Sequence, residues 1–199
     1  RSRGLGDVYK RQILRERYRQ IFPAAILFSA GLIWIGFLLD EPGDTIAGLY
    51  RIVVSENILI TDYVYIAGPG AALINSGIVT GISICILKFS GASFNGDTIV
   101  KMGLMSGFSL FGKNFFNIWP IILGSWLYAK YRKRPFSRYA SVALLSTSLA
   151  PLVSYMTFGS IYASVPLGLL SGVVIGFVLP SLSVSYTHLR AHETDQYLV

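Results

Sequence analysis

Apolar runs, each about long enough to cross a bilayer, alternate with short polar segments along most of the chain. Ile21 to Leu39 (IFPAAILFSAGLIWIGFLL) is the clearest, and Gly70 to Leu87, Phe115 to Tyr131, Tyr139 to Phe158 and Val165 to Leu182 follow. A helix of about 20 residues spans a ~30 Å hydrocarbon core, and lipid offers no partner for free backbone groups, so each run that crosses must be helical. A sixth run, Thr98 to Gly112, is shorter and carries Lys101. At 1.5 Å per residue it reaches only about 22 Å. Paired with the next run, it predicts a helical hairpin with Gly112-Lys113-Asn114 at its tip. The tip either emerges on the far side of a short tilted hairpin or stops within the membrane, where broken helices line cavities.

Charge placement sets the direction of the crossings. Arg15, Arg17 and Arg19 precede the first span, and Lys130, Arg132, Lys133, Arg134 and Arg138 separate the fourth from the fifth. With the short run counted as a membrane element, alternation puts both groups and Lys88 on one face. The positive-inside rule makes that face cytoplasmic. Asp40, Glu41, Asp44, Glu56 and Asp62 fall on the other face, with Arg51 and Lys113 as its only basic residues. The expected fold is an all-α, polytopic transmembrane helix bundle of about six segments, one of them re-entrant or a short hairpin.

Composition agrees and removes several function classes. Hydrophobic residues make up 53% of the chain and charged residues only 14%, against about a quarter charged in soluble domains. The +7 net charge suggests no nucleic-acid partner, because the cations sit in two short runs without interleaved stacking aromatics. The single cysteine, Cys85, lies within an apolar run. There is no phosphate loop, nucleophile elbow or metal-ligand cluster, so no catalytic residue, cofactor or metal is expected. No Asp or Glu lies inside an apolar run, which disfavours a carboxylate proton relay.

Polar residues at membrane depth are the remaining candidates. Asn75, Lys101, Lys113, Asn114 and Asn117 either hydrogen-bond between helices or line a solute path. For Lys101, pairing with Asp97 or snorkelling to the interface is the plainer explanation. Gly77 with Gly81, Gly103 with Gly107, and Gly172 with Gly176 form three GxxxG pairs, which let helix backbones approach closely. Pro120 and Pro151 fall inside their runs and should kink them. SGIVTGISICIL (Ser76 to Leu87) aligns with SGVVIGFVLPSL (Ser171 to Leu182) at an offset of 95. Either a duplication or the recurrence of small-residue packing patterns explains that similarity.

The two ends differ from everything between them. Back-translated with allowed codons, Ser2 to Gln12 reads on the opposite strand, in a shifted frame, as VSYTHLRAHET, which is Val184 to Thr194. The codons resemble a transposase sequencing adapter, so residues 1–12 and 184–199 are read as adapter translation and 13–183 as a truncated membrane domain. His188 and His192, spaced i, i+4 like half of a zinc motif, are then not a metal site. Setting aside Arg1, Arg3, Lys10, Arg11 and Asp7 removes three positive units, and setting aside Arg190, Glu193 and Asp195 returns one. What remains carries +5 and no histidine.

GFSLFGKNFFNIWPI (Gly107 to Ile121), GPGAALINSG (Gly68 to Gly77) and FNGDTIVKMG (Phe94 to Gly103) together resemble the bacterial membrane-protein family catalogued as domain of unknown function 1576. The resemblance covers most of Ile13 to Ser183. It implies a multi-pass protein of the bacterial inner membrane with a longer parent chain. It brings no substrate, cofactor or catalytic residue.

The expected activity is passage of a small solute through a transporter or channel. Lys113 and Asn114 would meet a polar or anionic solute, and Asn75 and Asn117 would line its path. The alternative is a non-transporting scaffold or assembly subunit that uses its GxxxG faces for partners. Lipid is the expected environment, and a second copy of the chain is a candidate partner.

Overall fold

Apolar runs in lipid must satisfy their backbone internally, and the chain does so with helices wherever its regular structure is described. The computed structural model describes the backbone of residues 2–57, 60–91 and 96–196, and the side chains of 21–57, 60–91 and 98–183. In order, the helices are α1 (Ser2–Leu39), α2 (Pro42–Val54), α3 (Tyr63–Ala67), α4 (Pro69–Ser90), α5 (Gly96–Phe108), α6 (Trp119–Tyr131), α7 (Ala140–Ser146), α8 (Ala150–Ser154) and α9 (Val165–Gln196). The described residues form no strand, only an isolated bridge between Asp62 and Phe111.

Four segments are long and apolar enough to span: Ile21–Leu39, Pro69–Ser90, Ala140–Gly159 and Val165–Ser183. Their outer faces leave Leu27, Trp34, Leu38 and Leu170 at least 60% exposed. Such faces suit acyl chains and not water. The described residues form an all-helical membrane bundle, with four segments long enough to span and the α5–α6 hairpin between them, against an expectation of about six segments of which one is re-entrant or a short hairpin. The run Phe115 to Tyr131 is not one helix, because regular structure starts only at Trp119. Pro120 sits in the first turn of α6, where its missing N–H costs nothing. It therefore starts a helix and does not kink one, contrary to the sequence expectation. Pro151 does interrupt its span: a 3-10 turn at Thr147–Leu149 precedes it, and a π turn follows at Tyr155–Gly159.

Two close pairs build the bundle. Along α1 and α4, Ala25 packs with Ile84 in one small cluster, Ser29 and Ile33 meet Gly77, and Gly36 meets Gly70 and Ile74, so the pair is antiparallel. The Ser29 hydroxyl donates to the Gly77 carbonyl at 2.8 Å across the crossing. In the second pair, Pro120 meets Gly172, Gly124 meets Val173 and Phe177, and Tyr128 stacks edge-on with Phe177, so α6 and α9 run parallel. Ser125 donates to the Gly176 carbonyl at 2.9 Å. The two SGxxxG stretches thus perform the same task, opening an α-helix to a close partner and a serine bond. Their partners run in opposite senses, which favours recurrent packing over duplication of a unit.

The third glycine pair breaks the expectation. A Cβ built on Gly103 or Gly107 would meet nothing within 4 Å, whereas Gly77, Gly81, Gly172 and Gly176 all face neighbouring atoms within that distance. Among the described residues Gly103 and Gly107 are not packing positions. Their face of α5 is left open, beside exposed Val100 and Leu104.

Candidate functional site at the hairpin tip

Residues 109–118 join α5 to α6 without regular structure, and a segment like this would be prohibitively costly facing lipid. Its exposed side chains, Phe111 and Phe116, are apolar, and its polar ones are withdrawn. Ser109, Lys113, Asn114 and Asn117 are buried. Asn75 of α4, which touches the tip, lies six residues from Pro69, or about 9 Å along the helix. Ser154, which also touches it, follows Val153, whose side chain packs at Gly172, seven residues into α9. The tip therefore sits about 10 Å inside the ends of both spans. From the near end, Ile52, Asn57 and Tyr63 cover it: all three are fully buried, and the Tyr63 N–H donates to the Leu110 carbonyl at 3.1 Å. The tip is thus enclosed by protein, whichever side of the membrane boundary it reaches.

Four asparagines complete the backbone bonding that the break removes. Asn75 donates to the carbonyls of Ser109 (2.7 Å) and Lys113 (2.9 Å), and its Oδ1 accepts from the Phe115 N–H at 3.2 Å. Asn114 Oδ1 accepts from the N–H groups of Phe116 and Asn117, while its amide donates to the Ile52 carbonyl and the Tyr63 hydroxyl. Asn117 Oδ1 accepts from the Asn114 N–H, and its amide donates to the Gly112 carbonyl and to Ser154 Oγ at 2.9 Å. Asn57 adds bonds to Tyr63 Oη (2.8 Å) and to the Gly112 carbonyl (3.2 Å). Gly112 has φ 92°, a left-handed turn that a side chain would strain. Burial pushes the Tyr63 phenol well above its usual range despite bonds from Asn114, Asn57 and Ser55, so it remains a neutral acceptor here.

Three of the five residues singled out for a solute path, Asn75, Asn114 and Asn117, meet at the tip with both ends of their amides occupied. They act as staples of the broken backbone. Lys101 lies elsewhere, half-buried eight residues before Ser109, about 12 Å along α5. Asp97, its suggested partner, lies outside the described side chains, as do His188, His192 and both stretches read as adapter.

Lys113 is the outlier. It is 1% exposed, and among the described residues no carboxylate lies within ion-pair distance of it. Its amine donates to Met105 Sδ at 3.4 Å and stands 5.4 Å from the centre of the Phe108 ring. The last turn of α5 supplies both neighbours, so the negative end of that helix faces the amine. Met105 is one further turn inward from Ser109, which brings the amine to about 15 Å, near the middle of a ~30 Å core. Thr147, in the 3-10 break, reaches the same sulfur at 3.7 Å. A discontinuous hairpin and an interrupted span therefore meet around one buried amine.

A chamber of about 560 Å³ lies on the other side of the tip, between α6, α8 with its π turn, and α9. Asn114, Asn117 and Ser154 reach its wall, but Trp119, Phe158 and Leu169 set its character. It is too apolar to hold a small ion, and Lys113 does not line it. Sequence reading missed Asn57, Tyr63, Ser109, Thr147 and Ser154. Asn57 and Ser109 are short polar residues at the edges of apolar runs, the only signal they offer; nothing local marks the others.

The apolar helices and the lipid-suited outer faces identify an integral membrane protein. No curated protein and no solved structure matches the chain. The family model described as "Protein of unknown function (DUF1576)" matches residues 41–194, starting after the first span and running past Ser183. That range holds the hairpin, its asparagine staples and three of the four spans, and the chain belongs to this family.

Proposed function

We propose that the protein passes a small polar or anionic solute across the bacterial cytoplasmic membrane, as part of a transporter or channel, with its first span entering from the cytoplasm. The observation that carries this reading is Lys113: a lysine near mid-membrane, held on a broken hairpin against an interrupted helix, with no internal counter-charge among the described residues. An intramembrane cation is expensive and is kept where an ion or solute path needs it, and broken helices at mid-depth are the usual means of building such paths. In this reading Lys113 meets the solute, and the asparagines hold the tip in shape without touching it. That differs from the direct contact expected for Asn75, Asn114 and Asn117. No chemical transformation is assigned. The orientation rests on the cytoplasmic placement of Lys130, Arg132, Lys133, Arg134 and Arg138.

Reconstitution in liposomes with panels of anionic, neutral and cationic solutes tests the proposal. Flux of an anionic or polar solute should occur and should fall at least about tenfold in Lys113→Met. Unchanged flux in that variant removes Lys113 from the path. Single cysteines at Gly112 to Asn114, on a Cys85→Ser background, add a geometric check. Full labelling by an impermeant thiol reagent from outside, unaffected by solute, is incompatible with the buried site.

One observation favours a second reading, a membrane scaffold or assembly subunit: the open Gly103/Gly107 face of α5 is shaped for a helix that the described residues do not provide. Absence of flux for every solute, together with a stable stoichiometric partner or a second copy bound through α5, would favour it.

A further inference from the structure

A second groove, separate from the hairpin tip, runs between the later half of α4 and α6. It measures about 650 Å³ and is lined by Ile82, Ile86, Phe89, Trp119, Trp126 and Phe136, with Cys85 and Ser90 on its α4 side. Its walls are apolar and aromatic along the membrane-spanning part of α4. At one end the chemistry changes abruptly. Lys130 lays its amine 3.9 Å from the centre of the Trp126 ring. Beyond it α6 ends in a tight turn, in which the N–H groups of Lys133 and Arg134 bond back to the carbonyls of Lys130 and Ala129, and Lys133 takes φ 51°. That turn brings Phe136 back into the groove wall, with exposed Arg132, Lys133, Arg134 and Arg138 flanking it in the chain.

An apolar slot with Lys130 stacked on its Trp126 wall and four exposed cations around Phe136 in the chain matches one class of molecule in charge and in polarity. We infer that this groove binds an anionic phospholipid, with an acyl chain along Trp119 and Trp126 and the phosphate group against Lys130, Arg132 and Arg134. Juxtamembrane cations attract anionic headgroups, roughly fivefold in partitioning for each one engaged. The aromatic wall orders the chain beneath. The site is independent of the solute path and stands or falls separately from it.

Tryptophan fluorescence reads occupancy directly, because two of the three tryptophans line the groove. The third, Trp34, is lipid-exposed on α1 and is removed as Trp34→Phe. In nanodiscs of matched composition, brominated phosphatidylglycerol should quench Trp119 and Trp126 several-fold more effectively than brominated phosphatidylcholine at equal mole fraction. Arg132→Gln with Arg134→Gln, both at exposed positions, should erase that preference without loss of folded protein. Alkylating Cys85 with a bulky maleimide should block the acyl chain and weaken quenching by both lipids. Equal quenching by the two lipids, a preference unchanged by the arginine substitutions, or quenching indifferent to the Cys85 adduct would each overturn the inference.

Discussion

α4 and the α5–α6 hairpin lie side by side and meet the same constraint by opposite means. α4 runs 22 residues with its helical ladder intact, sealed at its start by Asp40, which accepts from the Gly70 N–H at 2.7 Å, and at its end by Gly91 in a left-handed cap. The hairpin gives up the ladder for ten residues and replaces it with side-chain amides. Polar residues of α4 show where the difference is decided. Thr80 and Ser83, facing no break, bond back to the carbonyls of Ser76 and Val79 on their own helix. Asn75 and Ser76, about one turn before Thr80 and two before Ser83, reach across to the hairpin instead, Ser76 to the Ser106 carbonyl at 2.9 Å. The same chemistry is inert on one turn and structural on the next, according to what the neighbouring helix leaves unpaired.

The sharpest break in that comparison is at the staples. Asn114→Ala strands the N–H groups of Phe116 and Asn117, at about 1–3 kcal/mol each, and takes one bond each from the Ile52 carbonyl and the Tyr63 hydroxyl, which keep those from Ser55 and Asn57. Thermal unfolding in detergent should show a loss of about 3–5 kcal/mol, near the limit for a single substitution. Asn75→Ala should come close behind. If both variants melt like the parent, the tip is solvated and not enclosed.

A smaller loss is expected where α4 is regular. A Cβ at Gly77 would sit 2.6 Å from Ile33 Cγ1 and 2.8 Å from the Ser29 carbonyl oxygen. The backbone oxygen cannot rotate away, so Gly77→Ala should push α1 outward and cost about 1–3 kcal/mol as overpacking. A disulfide or spin-label distance between α1 and α4 that stays constant in the variant would contradict the crossing.

Lys113 separates stability from activity. Replacing a buried charge that lacks an ion-pair partner by an apolar side chain of similar length is often neutral or stabilising. Lys113→Met should therefore leave the melting point unchanged or raise it slightly, while removing the proposed flux. Loss of both together would make the amine a structural member of the tip and nothing more.

The regular parts of this fold were legible in sequence because their cause is local. An unbroken apolar run in lipid has one solution, and two of the three GxxxG pairs, Gly77/Gly81 and Gly172/Gly176, mark where another helix comes near. The hairpin was legible in outline, from a run too short to cross and a Gly-Lys-Asn turn. Its internal wiring was not. Asn75, Asn114 and Asn117 were found because asparagine at membrane depth is conspicuous, but their role depended on which carbonyls the break would strand. That is set partly by Ile52, Asn57 and Tyr63, outside the hairpin. Tyr63 and Ser154 carry no local sign of membership at all. Pro120 misled for the same reason: a proline in an apolar run reads as a kink until Phe115 to Ile118, the first four residues of that run, prove to be outside the helix.

The smallest effect tests the face that does not fit either pattern. Gly103 and Gly107 are helix-interior glycines with open space beside them, so alanine adds no clash and removes backbone freedom from the unfolded chain, a gain of about 0.4–1 kcal/mol each. Gly103→Ala with Gly107→Ala should then melt slightly higher than the parent in detergent. If the face instead receives a helix from a second copy or another subunit, the same substitutions would obstruct it and lower the stability of the assembly in a bilayer. The sign of the change, compared between monodisperse detergent and nanodiscs, therefore distinguishes a lipid-facing strip from a contact surface. A gain in both places leaves α5 facing acyl chains, with its glycines sparing no neighbour.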